Sequence, residues 1–424
     1  MKIAFFVNQF PILSETFILN QITGLIDRGH AVDIYADRPG DTEKIHSDIE
    51  KYSLLECTYY IGRPYNRSRR FLGAIHLLFT NLPKELAVLL QSLNIFKYGR
   101  QAASLSLLYA TCHFLQKSVD YDIIHCHFAP NGLKVAALMD IGVLQGILIT
   151  SFHGYDAGKY PQQYGLDIYE QLFQRGDLYT CSSSFLIGKI LALGCPDEKV
   201  VRLPMGVNIS KHLFQERTLD SSGLVKIVTV ARLVEKKGIE YSIRALAKVS
   251  IDNPNVLYRI IGDGPLRGSL EDLILELNLS EKVKLLGWMT QDEVYELYDD
   301  SHIFILPSVT ASNGDQEGQG LVLQEAQLMG LPVISTLHNG IPDGVLDGQS
   351  GFLVPERDVD ALAERLNYLI EHPERWSEMG REGHLFVKRG FDVEKLNDQL
   401  VEIYQKLKQV PLDIETLGRK AITG

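Results

Sequence analysis

Four side chains in the second half of the chain have the types and spacing to handle a doubly charged phosphate ligand. Arg232 follows the apolar run 226–230, and Lys237 comes five residues later, immediately before Gly238. A guanidinium offers a forked donor set and an ammonium a point charge, so together they can neutralise the roughly two negative charges of a diphosphate leaving group. Glu317 and Glu325 bracket the segment EGQGLVLQE. Gly318 and Gly320 would let backbone N–H groups approach phosphate or sugar hydroxyls, and a helix opening near Leu321 adds its dipole. Glu317 precedes that helix and Glu325 lies inside it, so their spacing of eight leaves them near one face but about 12 Å apart along the axis. They cannot hold one atom together. They can grip two ends of an extended ligand, sugar hydroxyls at Glu317 and a nucleoside ribose at Glu325.

Each residue also has a plainer role open to it. A glutamate on a helix starting LVLQEAQ can simply face solvent, a single Arg or Lys on a loop is usually exposed, and one Gly-x-Gly is usually a turn. What favours chemistry is where the elements would bring these residues. Short apolar runs alternate with helical patterns along the chain, which predicts βαβ units and parallel sheets. The first half offers strands at 3–7, 31–35, 123–127, 146–151, 178–181 and 200–203. The second restarts at 226–230 and continues at 257–261, 283–286, 303–306, 332–335 and 351–354. Helical patterns at 239–248, 266–277, 291–299 and 321–329 lie between the later strands. The expected fold is therefore α/β, with two Rossmann-like doubly wound domains facing each other across a cleft. The expected divisions are a domain over 1–206, a linker over 207–223, a domain over 224–390, a helix over 391–410 and a tail over 411–424. In open α/β sheets ligands bind beyond the carboxyl ends of the strands. Arg232, the GDGP turn with Gly262 and Gly264, the 317–325 segment and the FHGYD turn with His153 all fall at such ends.

Size and charge narrow the class. A chain of 424 residues exceeds what one core usually supports. No basic region followed by a cleavable apolar stretch opens the sequence, and no run reaches the roughly 18 apolar residues of a spanning helix. Five cysteines, odd in number and without CxxC spacing, argue for reduced thiols in a cytoplasmic protein. The net charge of −11 lies wholly in the second half, since residues 1–210 hold 19 basic and 19 acidic side chains. Within that neutral half, residues 57–119 carry eight basic residues and the single acid Glu85, amid many Leu, Phe and Tyr. Such a stretch either packs as helices over a sheet with solvated arginines or lies on an anionic membrane surface. No nucleic-acid partner is indicated. His125 and His127 would share one face of a strand, but no carboxylate partner is near in sequence, and metal binding is not expected there.

Taken together, these residues resemble the retaining glycosyltransferases of family 4, which have the GT-B architecture, over essentially the whole chain. The E-x7-E pair Glu317 and Glu325 with its continuation EAQLMGLPVIST is the most specific element, joined by ARLVEKKG, IIGDGP and LPMGVN. The resemblance implies that Arg232 and Lys237 hold the diphosphate and Glu325 the ribose. It implies that Glu317 and the backbone of Gln319, Gly320, Leu321 and Val322 contact the transferred sugar, with His153 on the opposite wall. It also implies a final helix near 394–408 crossing back to the N-terminal domain, front-face attack without a carboxylate nucleophile, and no cofactor or metal. Asp120-Tyr121-Asp122 precedes its strand and is no metal motif. The chain departs from relatives with paired glycines after the first strand, having NQFPILSETFI instead, with Ser14 as a fair N-cap and Glu15 and Thr16 in the first helical turn. That form resembles a subgroup linked to exopolysaccharide and colanic-acid-type assembly. The expected reaction is hexose transfer from a UDP- or GDP-sugar to a saccharide or lipid-linked saccharide. Alternatives are a glycolipid or small-molecule acceptor, a nucleotide-sugar 2-epimerase, and a non-catalytic sugar-nucleotide binding protein.

Overall fold

Strands covered on both faces lose the alternation of polar and apolar residues and read as continuous Val/Ile/Phe runs. KIAFFVNQF and VKIVTV have that character, and each becomes a central strand of a parallel sheet. In a computed structural model of the full chain, residues 1–12, 15–40, 45–116, 119–210 and 214–409 are described, the side chains of 82–84 excepted.

The first sheet contains β1 (Lys2–Phe10), β2 (Ala31–Pro39), β3 (Thr58–Tyr60), β4 (Asp120–His127), β5 (Gln145–Phe152), β6 (Leu178–Cys181) and β7 (Val200–Arg202). Its order is β3-β2-β1-β4-β5-β6-β7, with every neighbour parallel. The second contains β8 (Val225–Val230), β9 (Val256–Ile261), β10 (Val283–Gly287), β11 (Ile303–Leu306), β12 (Val333–Thr336) and β13 (Gly351–Val354), in the order β10-β9-β8-β11-β12-β13 and also parallel. Strand order therefore reverses between β1 and β4 in one sheet and between β8 and β11 in the other, the switch points where such sheets take ligands.

The strands expected from the sequence are present, with their ends moved by up to four residues. β3 was not expected: three residues, TYY, are too few to show a period within a basic, aromatic segment. The Asp120-Tyr121-Asp122 triplet opens β4 instead of preceding it: Asp120 pairs with Gln145 of β5, while Asp122 accepts the Lys2 amide at 2.7 Å and Tyr121 donates to Asp33 at 2.6 Å. Glu15 is the N-cap residue of the helix Thr16–Asp27 and not part of its first turn. Ser14 lies outside the described residues, as does the tail 411–424.

The chain divides into two compact units whose borders differ from a simple halving. Among the described residues, Met1–Cys181, Ile187–Leu203 and the final helix from Asn397 form one; Ser182–Leu186 and Pro204–Leu396 form the other. The described part of 207–223 belongs to the second unit instead of standing apart as a linker. Val207 shows why: its amide donates to Phe391 O at 2.8 Å, and the Val393 amide donates back to Val207 O at 3.0 Å. The second unit is built on a large apolar cluster running from Val225 to Met379, with a smaller one of Val207, Leu328, Val387 and Phe391.

The final helix, Val393–Gln409, contributes its residues from Asn397 onward to the first unit. Leu400 and Tyr404 are fully buried there, Asn397 donates to Asn20 O at 3.1 Å, and Lys408 pairs with Asp122 at 2.7 Å. The Tyr404 hydroxyl meets His125 Nδ1 at 2.5 Å, and His125 Nε2 meets Ser151 Oγ at 2.7 Å. Removing one partner of a buried hydrogen bond costs about 1–3 kcal/mol. Tyr404→Phe is thus expected to lower the first unit's unfolding free energy by that amount in urea titration, and an unchanged midpoint would rule out the His125 bond as a structural tie.

Candidate active site

The second unit gathers its polar residues at the carboxyl ends of β8, β9, β11, β12 and β13. After β8 the chain places Arg232 on the surface and turns through Glu235–Lys237 into the helix Ile239–Val249. The Lys237 ammonium pairs with the Glu317 carboxylate, both side chains largely buried. Lys236 reaches the same loop, donating to Asp315 Oδ1 at 3.2 Å and Gln316 O at 3.3 Å. Burial alone would raise the Glu317 pKa, but Lys237, Lys236 and the Gly318 amide outweigh it and hold the carboxyl below its ordinary value. Glu317 is therefore an anion at neutral pH.

Residues that sequence reasoning missed fasten this loop from the other side. The Glu317 amide donates to His338 Nε2 at 3.1 Å, and Asn339 Nδ2 donates to Glu317 O at 3.0 Å. Because His338 Nε2 accepts, its proton sits on Nδ1, which donates to Glu356 Oε1 at 2.5 Å. Glu356 in turn accepts the Thr310 amide at 2.8 Å. His338 and Asn339 follow β12 and Glu356 follows β13, so the strand-end rule that picked Arg232 and Glu317 would have found LHNG and PERD as well.

The glycines fall into two kinds. A Cβ at Gly262 would lie 2.0 Å from Ala231 O, and one at Gly264 would lie 2.5 Å from Leu233 O. Those two let the loop after β9 pack against the loop after β8. A Cβ at Gly318 would meet nothing within 4 Å. Gly320, at φ 74°, takes the left-handed conformation that starts the helix Leu321–Leu328. Val322 packs on the core, while Gln319 is buried and its side chain is committed to the Met205 backbone, at 2.8 Å in both directions. Its contribution to a ligand is confined to the backbone.

Glu325 lies inside that helix, as its spacing required. Its carboxyl is pushed up to about 7 by burial, and it stands close enough to Tyr295 and Tyr298 to help raise theirs. Glu317 and Glu325 are thus unlike: one is paired with a lysine, the other is desolvated.

In the first unit, three imidazoles form a stack. The rings of His125 and His127 lie 4.8 Å apart and those of His127 and His153 5.5 Å apart, all nearly parallel. Gln21 Oε1 lies 3.0 Å from His127 Nε2 and can only accept, so His127 carries its proton there. His127 Nδ1 is then left to accept from His153 Nε2 at 3.2 Å. Burial lowers all three pKa values, to about 3 at His125 and about 4 at His153, so the stack is neutral. Among the described residues no three His, Cys, Asp or Glu side chains come together as a metal site. Asp156 is buried and holds the turn after β5 by accepting the His153 amide at 2.7 Å and the Ala129 amide at 2.6 Å.

Two doubly wound parallel sheets are the frame of a glycosyltransferase class, and the relatives of the chain belong to it. Residues 14–211 match the Glycosyltransferase Family 4 model and residues 213–386 the Glycosyl transferases group 1 model. The chain is 36% identical over 412 residues to the colanic acid biosynthesis glycosyltransferase WcaL of Salmonella typhimurium, covering 96% of this chain and 100% of that one. It is 38% identical over 366 residues to the amylovoran biosynthesis glycosyltransferase AmsK of Erwinia amylovora, covering 86% and 89%. Among solved structures, Anabaena Alr3699/HepE in complex with UDP aligns with a TM-score of 0.72 at 19% identity, covering 96% of this chain and 100% of that one. The chain belongs to this glycosyltransferase family, with a family 4 first half and a group 1 second half, and it has the GT-B fold.

The raised Glu325 pKa gives a signed expectation. Between the ordinary value of 4.5 and about 7 the folded protein binds a proton that the unfolded chain releases, so its stabilising share is full below 4.5 and lost as pH rises through 7. Glu325→Gln should therefore raise the melting temperature at pH 8 and give little gain at pH 4.5. An equal gain at both pH values would show that the carboxyl is not desolvated.

Proposed function

We propose that the protein is a retaining, metal-independent hexosyltransferase that takes its sugar from a UDP- or GDP-sugar and passes it to a saccharide or lipid-linked saccharide during surface polysaccharide assembly. The observation that carries the donor half is the Lys237–Glu317 pair at the carboxyl ends of β8 and β11. An arriving diphosphate competes for the Lys237 ammonium and adds Arg232, releasing the Glu317 carboxylate to accept sugar hydroxyls. Glu325 takes the ribose hydroxyls, which supply the donors that its desolvated carboxylate lacks. Developing charge on the leaving diphosphate is met by Arg232, Lys237 and the opening amides of the helix Leu321–Leu328. These groups supply positive charge without a metal ion or other cofactor. His153 can turn its Nε2 proton from His127 to the hydroxyl of a ligand bound at the first unit. The exopolysaccharide role rests on the names of the relatives WcaL and AmsK.

A peripheral position on the inner membrane face is also proposed. Among the described residues no helix is long and apolar enough to cross a membrane. The helix Arg67–Ser92, however, is apolar on two sides. Ala74, Leu77, Leu78 and Leu89 pack with Leu108 and Cys112. Leu72 and Phe79, spaced by seven residues ahead of the break in helical geometry at Glu85, share the other side and are about two-thirds exposed. Arg67 and Arg69 at its start add charge suited to anionic lipid.

A thermal-shift screen against nucleotide-sugars should single out the donor by mass action. With that donor, Arg232→Ala is expected to cut transfer at least a hundredfold at unchanged melting temperature, and near-normal transfer would remove the phosphate assignment. Transfer should persist in EDTA; strict metal dependence would contradict the mechanism. Phe79→Asp with Leu72→Asp should abolish sedimentation with phosphatidylglycerol vesicles, and undiminished sedimentation would leave the helix as a surface element only.

A further inference from the structure

Arginines crowd the carboxyl ends of β2 and β3 in the first unit, where no donor chemistry is assigned. A cavity of about 600 Å³ is lined there by residues that include Asn8, Asp37, Arg38, Arg63, Tyr65 and Arg70. Its one carboxylate, Asp37, is already paired with the buried ammonium of Lys134 and so leaves the guanidinium charge largely unbalanced. Arg70 holds the cavity wall in shape, donating from Nε to Pro64 O at 2.9 Å and from Nη2 to Tyr65 O at 3.0 Å. That places Arg63, on the same short loop, beside Arg70. Burial first and the Arg70 charge second lower the Arg63 pKa, as expected for like charges kept together away from bulk water. Arg38 donates to the Tyr65 hydroxyl across the same space, its guanidinium 5.7 Å from the ring centroid.

Three guanidiniums around a preformed cavity suit a ligand with more than one negative charge, because each presents several N–H donors to phosphate oxygens. The volume falls in the range of pockets for drug-sized ligands, well above what a bare anion fills. An exposed tyrosine ring at the rim offers a stacking face of the kind sugars use. The helix Arg67–Ser92 begins two residues beyond Tyr65, and its exposed apolar side starts at Leu72. An anion-binding cavity and an apolar helix face are thus joined by one short stretch of chain.

We propose that this cavity binds the phosphate or diphosphate of a lipid-linked saccharide acceptor, with the lipid directed along the exposed Leu72 and Phe79 face at the start of the helix Arg67–Ser92. The word acceptor rests on the transferase function proposed above; the anion site itself does not.

The test uses the full chain carrying Arg232→Ala and Lys237→Ala, so that the second unit's diphosphate contacts are removed. Inorganic pyrophosphate and geranyl diphosphate are titrated calorimetrically into this protein, and then into the same protein with Arg63→Gln or Arg38→Gln added. Both ligands are expected to bind the parent, geranyl diphosphate several-fold more tightly, and each added substitution should weaken both about tenfold, the loss of one charge-assisted contact. Arg70 is left intact because it shapes the wall, and exposed Arg38 serves where Arg63→Gln alters the melting curve. Affinities unmoved by either substitution would overturn the site. Equal affinity for the two ligands would make it a site for free phosphate and overturn the lipid-linked assignment. If no nucleotide-sugar binds the wild-type chain while diphosphate binding still depends on Arg63, the transferase proposal fails and this site stands.

Discussion

The buried ion pair between Lys237 and Glu317 is the interaction on which the second unit's rim depends. Its partners come from loops after two strands that are adjacent in the sheet but about eighty residues apart in sequence. Breaking such a pair from one side leaves an uncompensated charge, which is why every neighbouring contact reinforces it. Lys236 fixes the loop through Asp315 and Gln316, while His338, Asn339 and Glu356 fix it from β12 and β13. The loop is held by several backbone and side-chain bonds besides the ion pair. A ligand can therefore replace one partner of the pair without the loop losing its place.

The two glutamates of the E-x7-E segment illustrate how one spacing serves two electrostatic roles. Glu317 sits before the helix, where lysines keep it ionised at neutral pH. Glu325 sits within the helix, where burial makes ionisation costly and a hydrogen-bond donor from outside correspondingly valuable. The first unit follows a different logic. Its three imidazoles are neutral and ordered by Gln21, so that stack can steer a proton's direction but carries no charge to meet phosphate. A cluster of positive charge in the first unit is instead built by Arg38, Arg63 and Arg70.

Most of this was legible in the sequence wherever a period or a strand end announced it. Parallel strands such as 303–306 and 351–354 were found to the residue, because continuous apolar runs bounded by polar turns have few other readings. Glu325 fell inside its helix because eight residues from Glu317 leave no other place for it. What escaped depended on contacts between distant segments. Nothing in TYY announces β3, since three residues carry no period. The segment after residue 206 looked like a linker by composition, yet Val207 pairs its backbone with Phe391 and Val393, nearly two hundred residues away. The roles of Gly262 and Gly264 likewise required the neighbouring loop: their close approach to Ala231 and Leu233 is a packing constraint, invisible in GDGP itself.

The central claim is that Glu317 trades Lys237 for the sugar when the diphosphate arrives. Calorimetric titration of Glu317→Gln separates the two halves of that exchange. Freed from its carboxylate, Lys237 should bind the plain nucleoside diphosphate several-fold more tightly than in the wild-type chain, while the extra affinity conferred by the sugar of the complete donor should disappear. If Glu317→Gln instead weakens the nucleoside diphosphate and the nucleotide-sugar by the same factor, the pair is only a structural brace and the account of donor recognition is wrong.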